Sequence, residues 1–249
     1  MLHNRIIQFL VLFISGLVFL SGIKWGFRLS DYVIPSLNDI ITTAKNVYIP
    51  YSRDMLETII IAIAGHMISI CMACSIGIIG RLTHWIGDLI KAGAYHVQAY
   101  PVVAIAPIIF ILFGDGLFPR LLITAMICYF PLLLTFVGIF TEPVENVEHF
   151  YKSTQMLNRI LEIKIRAFEH LQKILTVIEG SATLAMVGTI VAEFLSAESG
   201  IGYRISIALS QSDMAKVLVA LFMIGLSTAL YLTFLEKIGS TIQKRLSKS

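Results

Sequence analysis

Charge is scarce in this sequence. Of 249 residues only 19 are Lys or Arg and 16 are Asp or Glu, 14% together, against 57% hydrophobic residues. Soluble chains carry about a quarter charged and just under half apolar residues, so this composition excludes a soluble domain and marks a polytopic membrane protein. The net charge of +3 is small and its basic residues are scattered, which excludes a nucleic-acid surface. Cysteine is nearly absent. Cys71, Cys74 and Cys128 fall inside apolar runs. The i, i+3 pair Cys71 and Cys74 has no further ligand nearby, so all three read as small packing hydrophobes. The chain also lacks H-E-x-x-H and any other metal-ligand cluster, so no metal or cofactor is expected. It lacks G-x-x-x-x-G-K-[ST], so it does not hold ATP in the usual way. No filter-like repeat suggests a channel, and no second half mirrors the first as in many secondary transporters.

What is present is a series of apolar runs. A crossing needs about 20 mostly apolar residues for a hydrocarbon core about 30 Å thick. Six runs qualify, over residues 6–26, 55–80, 95–113, 117–141, 175–195 and 217–235. The expected fold is therefore all-α, a polytopic membrane helix bundle of about six transmembrane helices forming a single transmembrane domain over residues 1–249. The first run is longer than a secretory apolar region and no A-x-A-like site follows it, so it reads as a retained helix. The polar stretch from Phe27 to Asp54 is punctuated by Pro35 and Pro50, with a short amphipathic helix expected over Ser36 to Val47. A partly polar helix, Ile86 to Tyr95, precedes the third run. Six crossings place both termini on one side. Twelve basic residues against seven then put both termini in the cytoplasm.

One segment breaks the apolar pattern. Residues 142–173 hold ten of the chain's 35 charged residues, 19 basic and 16 acidic, between two runs long enough to cross a membrane. Its apolar residues Leu157, Ile160, Leu161, Phe168 and Leu171 follow a helical period into the fifth run. Ser153 or Thr154 would cap such a helix. The segment must lie in water, where it either meets a soluble partner or rests on membrane lipid headgroups.

Proline and charge single out the third to fifth runs. Pro101, Pro107 and Pro131 would bend helices around a central pathway or serve packing alone. Glu179 and Glu193 flank the fifth run, and both must face protein or water. Between them Ser181, Ala185, Gly188, Thr189 and Ala192 give the small-residue spacing that lets backbones approach, which places this helix in the middle of the bundle. His66, in the second run, is either a hydrogen-bonded core residue or a proton relay.

Three pieces together resemble the permease subunits of ABC importers, in the branch handling sulfonates, taurine, nitrate, bicarbonate and thiamine-type pyrimidines. Gln98-Ala-Tyr-Pro-Val-Val-Ala-Ile-Ala-Pro-Ile-Ile-Phe-Ile-Leu-Phe-Gly114 resembles Q-x-x-P-x-x-A-x-x-P-x-x-x-x-W-F-G. Phe130-Pro131-Leu132-Leu133-Leu134-Thr135 resembles F-F-P-x-x-x-N/T, and the stretch from Ala192 through Gly200-Ile201-Gly202-Tyr203 is similar to A-E-x-L-x-x-x-x-G-L-G-Y. The resemblance implies a type I importer permease that acts as a homodimer in the cell inner membrane. Separate ABC ATPase subunits would lie below, a periplasmic substrate-binding protein above, and the chain itself would be no enzyme. The solute would be small and polar or anionic: sulfonate, nitrate, bicarbonate or a thiamine precursor. The pathway would draw on Gln98, Tyr100, Tyr129, Thr135, Ser181, Thr189 and Glu193. Residues 142–173 would dock the ATPase, with Thr154, Gln155, Met156, Leu157, Asn158, Arg159 and Ile160 as the coupling residues. Here the sequence departs from the family. The E-A-A and glycine positions of its loop pattern fall near His149, Phe150, Tyr151 and Gln155, the terminal proline near Phe168, and an arginine early in the fifth span is replaced by Glu179. A non-transporting scaffold subunit and a secondary transporter stand as the alternatives.

Overall fold

The computed structural model describes residues 5–98, 100–153 and 158–246, and those residues form ten α-helices and no strand. Five helices are long and apolar enough to cross a membrane: α1 (Arg5–Phe27), α2 (Leu37–Gly80), α5 (Leu117–Thr141), α8 (Leu171–Ser196) and α10 (Met214–Leu246). Each contains or coincides with an expected span. The sixth expected span, 95–113, is not one helix. It is split between α3 (His84–Gln98) and α4 (Val102–Phe113). Pro101 has no N–H to continue α3 and drives Tyr100 toward extended backbone, so the chain breaks there and restarts with Pro101 at the N-cap of α4.

The register of close contacts shows how the broken pair runs. Gly65 of α2 lies against Thr124 of α5, and Gly77 against Phe136, so α2 and α5 run parallel. A Cβ on Gly77 would sit 2.9 Å from the Phe136 carbonyl carbon, which is why only glycine fits between these backbones. Parallel neighbours need a return path, and α3 with α4 supplies it. Gly87 abuts Thr141, the Tyr95 and Phe130 rings stand 5.8 Å apart, and the Phe113 and Phe118 rings 4.9 Å apart. The two short helices thus descend the whole length of α5 as one broken traverse.

A second expectation needs correcting. The amphipathic helix over 36–47 and the second span are one 44-residue helix that passes through Pro50. A capping box starts it, with the Ser36 side chain accepting from the Asp39 N–H and the Asp39 carboxylate accepting from Ser36. Pro50 costs one hydrogen bond, to the carbonyl of Asn46. Asn46 is exposed, so solvent satisfies what the proline frees. At about 1.5 Å per residue the helix is about 66 Å long and extends well past a bilayer core.

The small-residue helix α8 does lie at the centre. Its buried side is Ser181, Ala182, Ala185, Met186, Gly188, Thr189, Ala192 and Glu193, antiparallel to α2 through the pairs His66 with Ser181 and Thr58 with Glu193. Helix α10 packs beside both, and α1 lies outermost, with Arg5 paired to Glu236 at 2.5 Å and Phe9 and Phe13 on Phe222. These pairings gather Arg5, Arg81, the charged segment, Lys237 and Arg245 at one end of the bundle. The start of α2, the α4–α5 turn and α9 (Ile201–Ser210) lie at the other.

Candidate functional site

The break at Pro101 opens a cavity. About 740 Å³ lies between α3, α4 and α5, walled by Gln98, Tyr100, Met126, Tyr129 and Phe130, with Leu184 of α8 at its back. Among the described residues that line it, none is Asp, Glu, Lys, Arg or His. Tyr129 is half-buried, and among the described residues its hydroxyl has no hydrogen-bond partner. Its free oxygen, the Gln98 amide and the Tyr100 phenol are the polar groups of an otherwise apolar chamber. Such a chamber can hold a flat, uncharged molecule by ring contact and a few hydrogen bonds.

Three of the seven side chains expected along a pathway therefore meet in one place. The other four do not join them. Thr135 is half-buried on α5 outside the cavity wall. Ser181, Thr189 and Glu193 are enclosed between helices, and their polar atoms are already engaged. Ser181 Oγ lies 2.8 Å from His66 Nε2, whose Nδ1 is 2.7 Å from the Tyr231 hydroxyl. Thr189 and Thr124 hydroxyls are 2.9 Å apart. His66 is thus a hydrogen-bonded core residue, fully buried and tying α2, α8 and α10 together.

Glu193 is the centre of a polar staple at the end of the bundle opposite the charged segment. The Thr58 hydroxyl of α2 stands 2.9 and 2.8 Å from its two carboxylate oxygens. The Gly202 N–H donates to Oε2 at 3.0 Å, and the Ile201 N–H donates to Thr58 Oγ1 at 3.0 Å. The first amides of α9 thus find their acceptors in a carboxylate and a hydroxyl, which suits the positive end of a helix. Gly200, at φ +94°, makes the turn into α9, and a Cβ there would lie 2.2 Å from the Glu193 carboxyl carbon. Beside the staple, Arg120 of α5 donates to Glu57 at 2.7 Å and to Ser199 at 3.0 Å, while Arg204 of α9 pairs with Asp54. Glu193 belongs to the sequence piece with the A-E…G-x-G-Y spacing. The spacing marked the residue, but nothing in it showed that the carboxylate closes on the glycine amide nine residues later.

At the other end, the charged segment folds as α6 (Glu145–Ser153) and α7 (Arg159–Glu169). Of the expected coupling residues, Thr154, Gln155, Met156 and Leu157 lie outside the described residues. Asn158 caps α7, accepting from the Leu161 N–H at 2.8 Å. That corrects the expected cap, since Ser153 instead ends α6 and its hydroxyl turns back to the Phe150 carbonyl. Arg159 and Ile160 are exposed. Helix α7 turns Arg166 and Glu162 inward and leaves Arg159, Lys164 and Glu169 exposed. Arg166 is buried and grips Glu148 with two bonds, Nε to Oε1 at 2.6 Å and Nη2 to Oε2 at 3.0 Å, whereas Ile160 and Phe168 are 67% and 59% exposed. Outward Ile160, Phe168, Phe150 and Val147 give the segment an apolar outer surface. Its composition concealed this arrangement, because Glu148 and Arg166 are eighteen positions apart and pair only through the fold.

Five helices long and apolar enough to cross a membrane, a broken pair beside them, a chamber at the break and a folded charged segment at one end define a polytopic membrane protein. The sequence comparisons place it further. The chain belongs to the family of binding-protein-dependent transport system inner membrane components, whose pattern matches residues 69–248. It is 35% identical over 132 residues to the riboflavin transport system permease protein RibX of Chloroflexus aurantiacus, covering 53% of this chain and 49% of that protein. It is 27% identical over 183 residues to the formylaminopyrimidine transport permease protein ThiX of Halalkalibacterium halodurans, covering 71% and 73%. A probable ABC transporter permease protein of Haemophilus influenzae is 26% identical over 136 residues, 54% and 55% of the two chains. The chain thus spans about half the length of two of these relatives and nearly three quarters of the third.

Proposed function

We propose that this chain is the transmembrane permease subunit of an ATP-driven importer that moves a small solute inward across the cell inner membrane. The observation that carries the reading is the family match, because residues 69–248 take in the cavity, the charged segment and the α8–α9 corner with Glu193. Both termini face the cytoplasm. The gathering of Arg5, Arg81, Lys152, Lys164, Lys173, Lys237 and Arg245 at the end that carries the charged segment supports this, since basic residues are retained on the inner side. Two copies pair around the pathway, a substrate-binding protein delivers solute from outside, and two ATPase subunits hydrolyse ATP below. The ATPase meets residues 142–173 through the coupling residues 154–160 and the outward Ile160 and Phe168, an apolar surface suited to a groove on a soluble protein.

The solute is an uncharged, flat ring compound. A sulfonate, nitrate or bicarbonate entering the chamber would lose hydration and find no cation among its lining residues. Tyr100, Tyr129 and Phe130 instead offer ring faces and edges, and the relatives named for riboflavin and formylaminopyrimidine move compounds of that kind. In proteoliposomes holding the whole complex, Tyr129→Leu is expected to cut uptake of riboflavin or formylaminopyrimidine about tenfold while leaving assembly intact, a loss of about 1.4 kcal/mol. Uptake of taurine or nitrate in place of either ring compound would refute this solute class.

One observation favours a second reading, a non-transporting scaffold: the charged segment lacks the family's small residues at Tyr151 and Gln155. Co-purification separates the two. The importer requires an ATPase subunit to come down with this chain, and requires deletion of Thr154 to Ile165 to abolish solute-dependent ATP hydrolysis. Hydrolysis that responds to solute equally well without the segment would exclude docking there.

A further inference from the structure

We propose that α2 and α5 act together as a rigid lever, and that an ionic clamp of Arg81, Glu148, Glu162 and Arg166 grips its cytoplasmic end and transmits motion of the ATPase-docking segment. The proposal rests on the transporter reading and assigns the transmission to residues outside the expected coupling positions. Glu162 of α7 is the bridge. Its Oε2 lies 3.2 Å from Arg81 at the end of α2, and its Oε1 lies 2.7 Å from Arg166. Arg81 also donates to the Arg159 carbonyl at 3.2 Å, and Arg166 donates to the Phe140 carbonyl of α5 as well as holding Glu148 of α6. One cluster therefore joins both helices of the segment to the ends of both α2 and α5.

The clamp is mostly shielded from water, with Glu162 its most open member at 22% side-chain exposure. The side chains of Arg81, Arg166 and Glu148 are only 5%, 8% and 11% exposed. Charges paired away from water resist separation far more than surface pairs do, because parting them leaves each one buried and uncompensated. A bidentate guanidinium–carboxylate pair also fixes orientation, so it passes on a tilt as well as a pull. Ile163 and Ala167 of α7 add apolar contact with the α2–α5 core beside it. Glu148, Glu162 and Arg166 point into the protein, while Lys152, Arg159, Lys164 and Glu169 stay exposed.

The lever itself is stiff. A Cβ at Gly77 would meet the Phe136 backbone of α5, and one at Gly65 the Thr124 side chain. From Arg81 to Glu57 is about 36 Å of helix. At the far end the same two helices hold the α8–α9 corner, α2 through Thr58 and Glu57 and α5 through Arg120. A displacement imposed at the clamp therefore arrives at the outer staple with little lost between. The break at Pro101 leaves the α3–α4 traverse as the element that can flex while α2 and α5 move.

The test uses the full complex purified with its co-purifying ATPase and a spin label at exposed Asp115, in the outer turn, of each permease copy. In the unaltered complex, ATP with vanadate is expected to change the label separation. Arg81→Met is expected to keep ATP hydrolysis within about twofold while the nucleotide-driven change falls about tenfold, within the usual range of coupling between distant sites. Arg81→Lys, which keeps the charge, is expected to retain most of the change. A purely structural Arg81 would lower hydrolysis and motion together. A full response in Arg81→Met, or an Arg81→Lys complex as unresponsive as Arg81→Met, overturns the clamp. If Arg81→Met does not assemble, Glu162→Gln carries the same test, since it leaves the Arg166–Glu148 pair in place. Absence of any co-purifying ATPase would instead overturn the transporter reading.

Discussion

Gly202→Val should disrupt the end of the bundle opposite the charged segment. A Cβ at Gly202 would lie 2.4 Å from the Ile190 carbonyl oxygen, 2.8 Å from Glu193 Cβ and 3.0 Å from the Phe194 N–H nitrogen. Two of these are backbone atoms of α8, which cannot rotate aside as a flexible side chain would. Helix α9 must then lift away, and its first amides lose Glu193 and Thr58. Overpacking of this kind costs about 3 kcal/mol or more. At about 2–4 °C per kcal/mol, the midpoint of thermal unfolding in detergent should fall by about 6–12 °C.

Substitutions at Glu193 separate the clash from the bonding. Glu193→Gln keeps an oxygen for the Gly202 N–H and should be mild. Glu193→Leu leaves the Gly202 N–H buried without its acceptor, at a cost of about 1–3 kcal/mol, while the Thr58 hydroxyl keeps the Asp54 carbonyl and the Ile201 N–H. If Gly202→Val and Glu193→Leu both melt within a degree or two of the unaltered chain, the staple does not hold this corner.

Arg166→Met should release the charged segment while the membrane-embedded helices stay folded. The substitution leaves Glu148 buried with a single protein donor, the Val144 N–H at 3.1 Å, and it cuts the bridge from Glu162. Breaking one side of a buried ion pair costs about 3–5 kcal/mol. Helices α6 and α7 are nine and eleven residues long, too short to persist without tertiary support, so the loss appears as local unfolding. Hydrogen exchange across residues 145–169 should accelerate sharply, with α2, α5 and α8 unchanged.

Acid should act on the same contact. Burial pushes the Glu148 carboxyl up, but the Arg166 hydrogen bonds, the Val144 N–H and the charges of Arg166 and Arg81 outweigh it and hold the group below its ordinary value of 4.5. A carboxylate depressed in the folded state stabilises fully above its unfolded pKa. That stabilisation is lost as pH falls through the lower, folded value. The segment should stay docked at neutral pH and down through the ordinary carboxylate range, then detach below it. In Glu148→Gln the acid-induced step should shrink. A step of undiminished size in that variant would assign it to another carboxylate.

Several features were legible because they are local. Apolar runs located every long helix, since spanning length and composition are read along the chain. Small residues in the fifth run placed α8 at the centre, because close helix approach demands them. Two misreadings concern proline. Pro50 reads as punctuation but sits inside α2, and Pro101 reads as a kink but ends a helix. The residue type is the same; what differs is whether the freed carbonyl and the next segment have somewhere to go.

The sequence by itself determined that this chain is a helical membrane protein, which runs are long and apolar enough to cross a membrane and which family it resembles. Those follow from the energetic cost of charge and bare backbone in hydrocarbon, which each stretch meets on its own. Only the tertiary structure decided what the polar residues do. Glu193, Ser181 and Thr189 turned out to be bound up in the packing, whereas Tyr129, with the same claim on the pathway, keeps a free hydroxyl in a chamber. Arg81, Glu148 and Arg166 drew no notice singly and proved to form one cluster. A polar side chain inside a membrane protein takes its role from its partners, and here some of them lie far along the chain, 18 positions for Glu148 with Arg166 and 135 for Thr58 with Glu193.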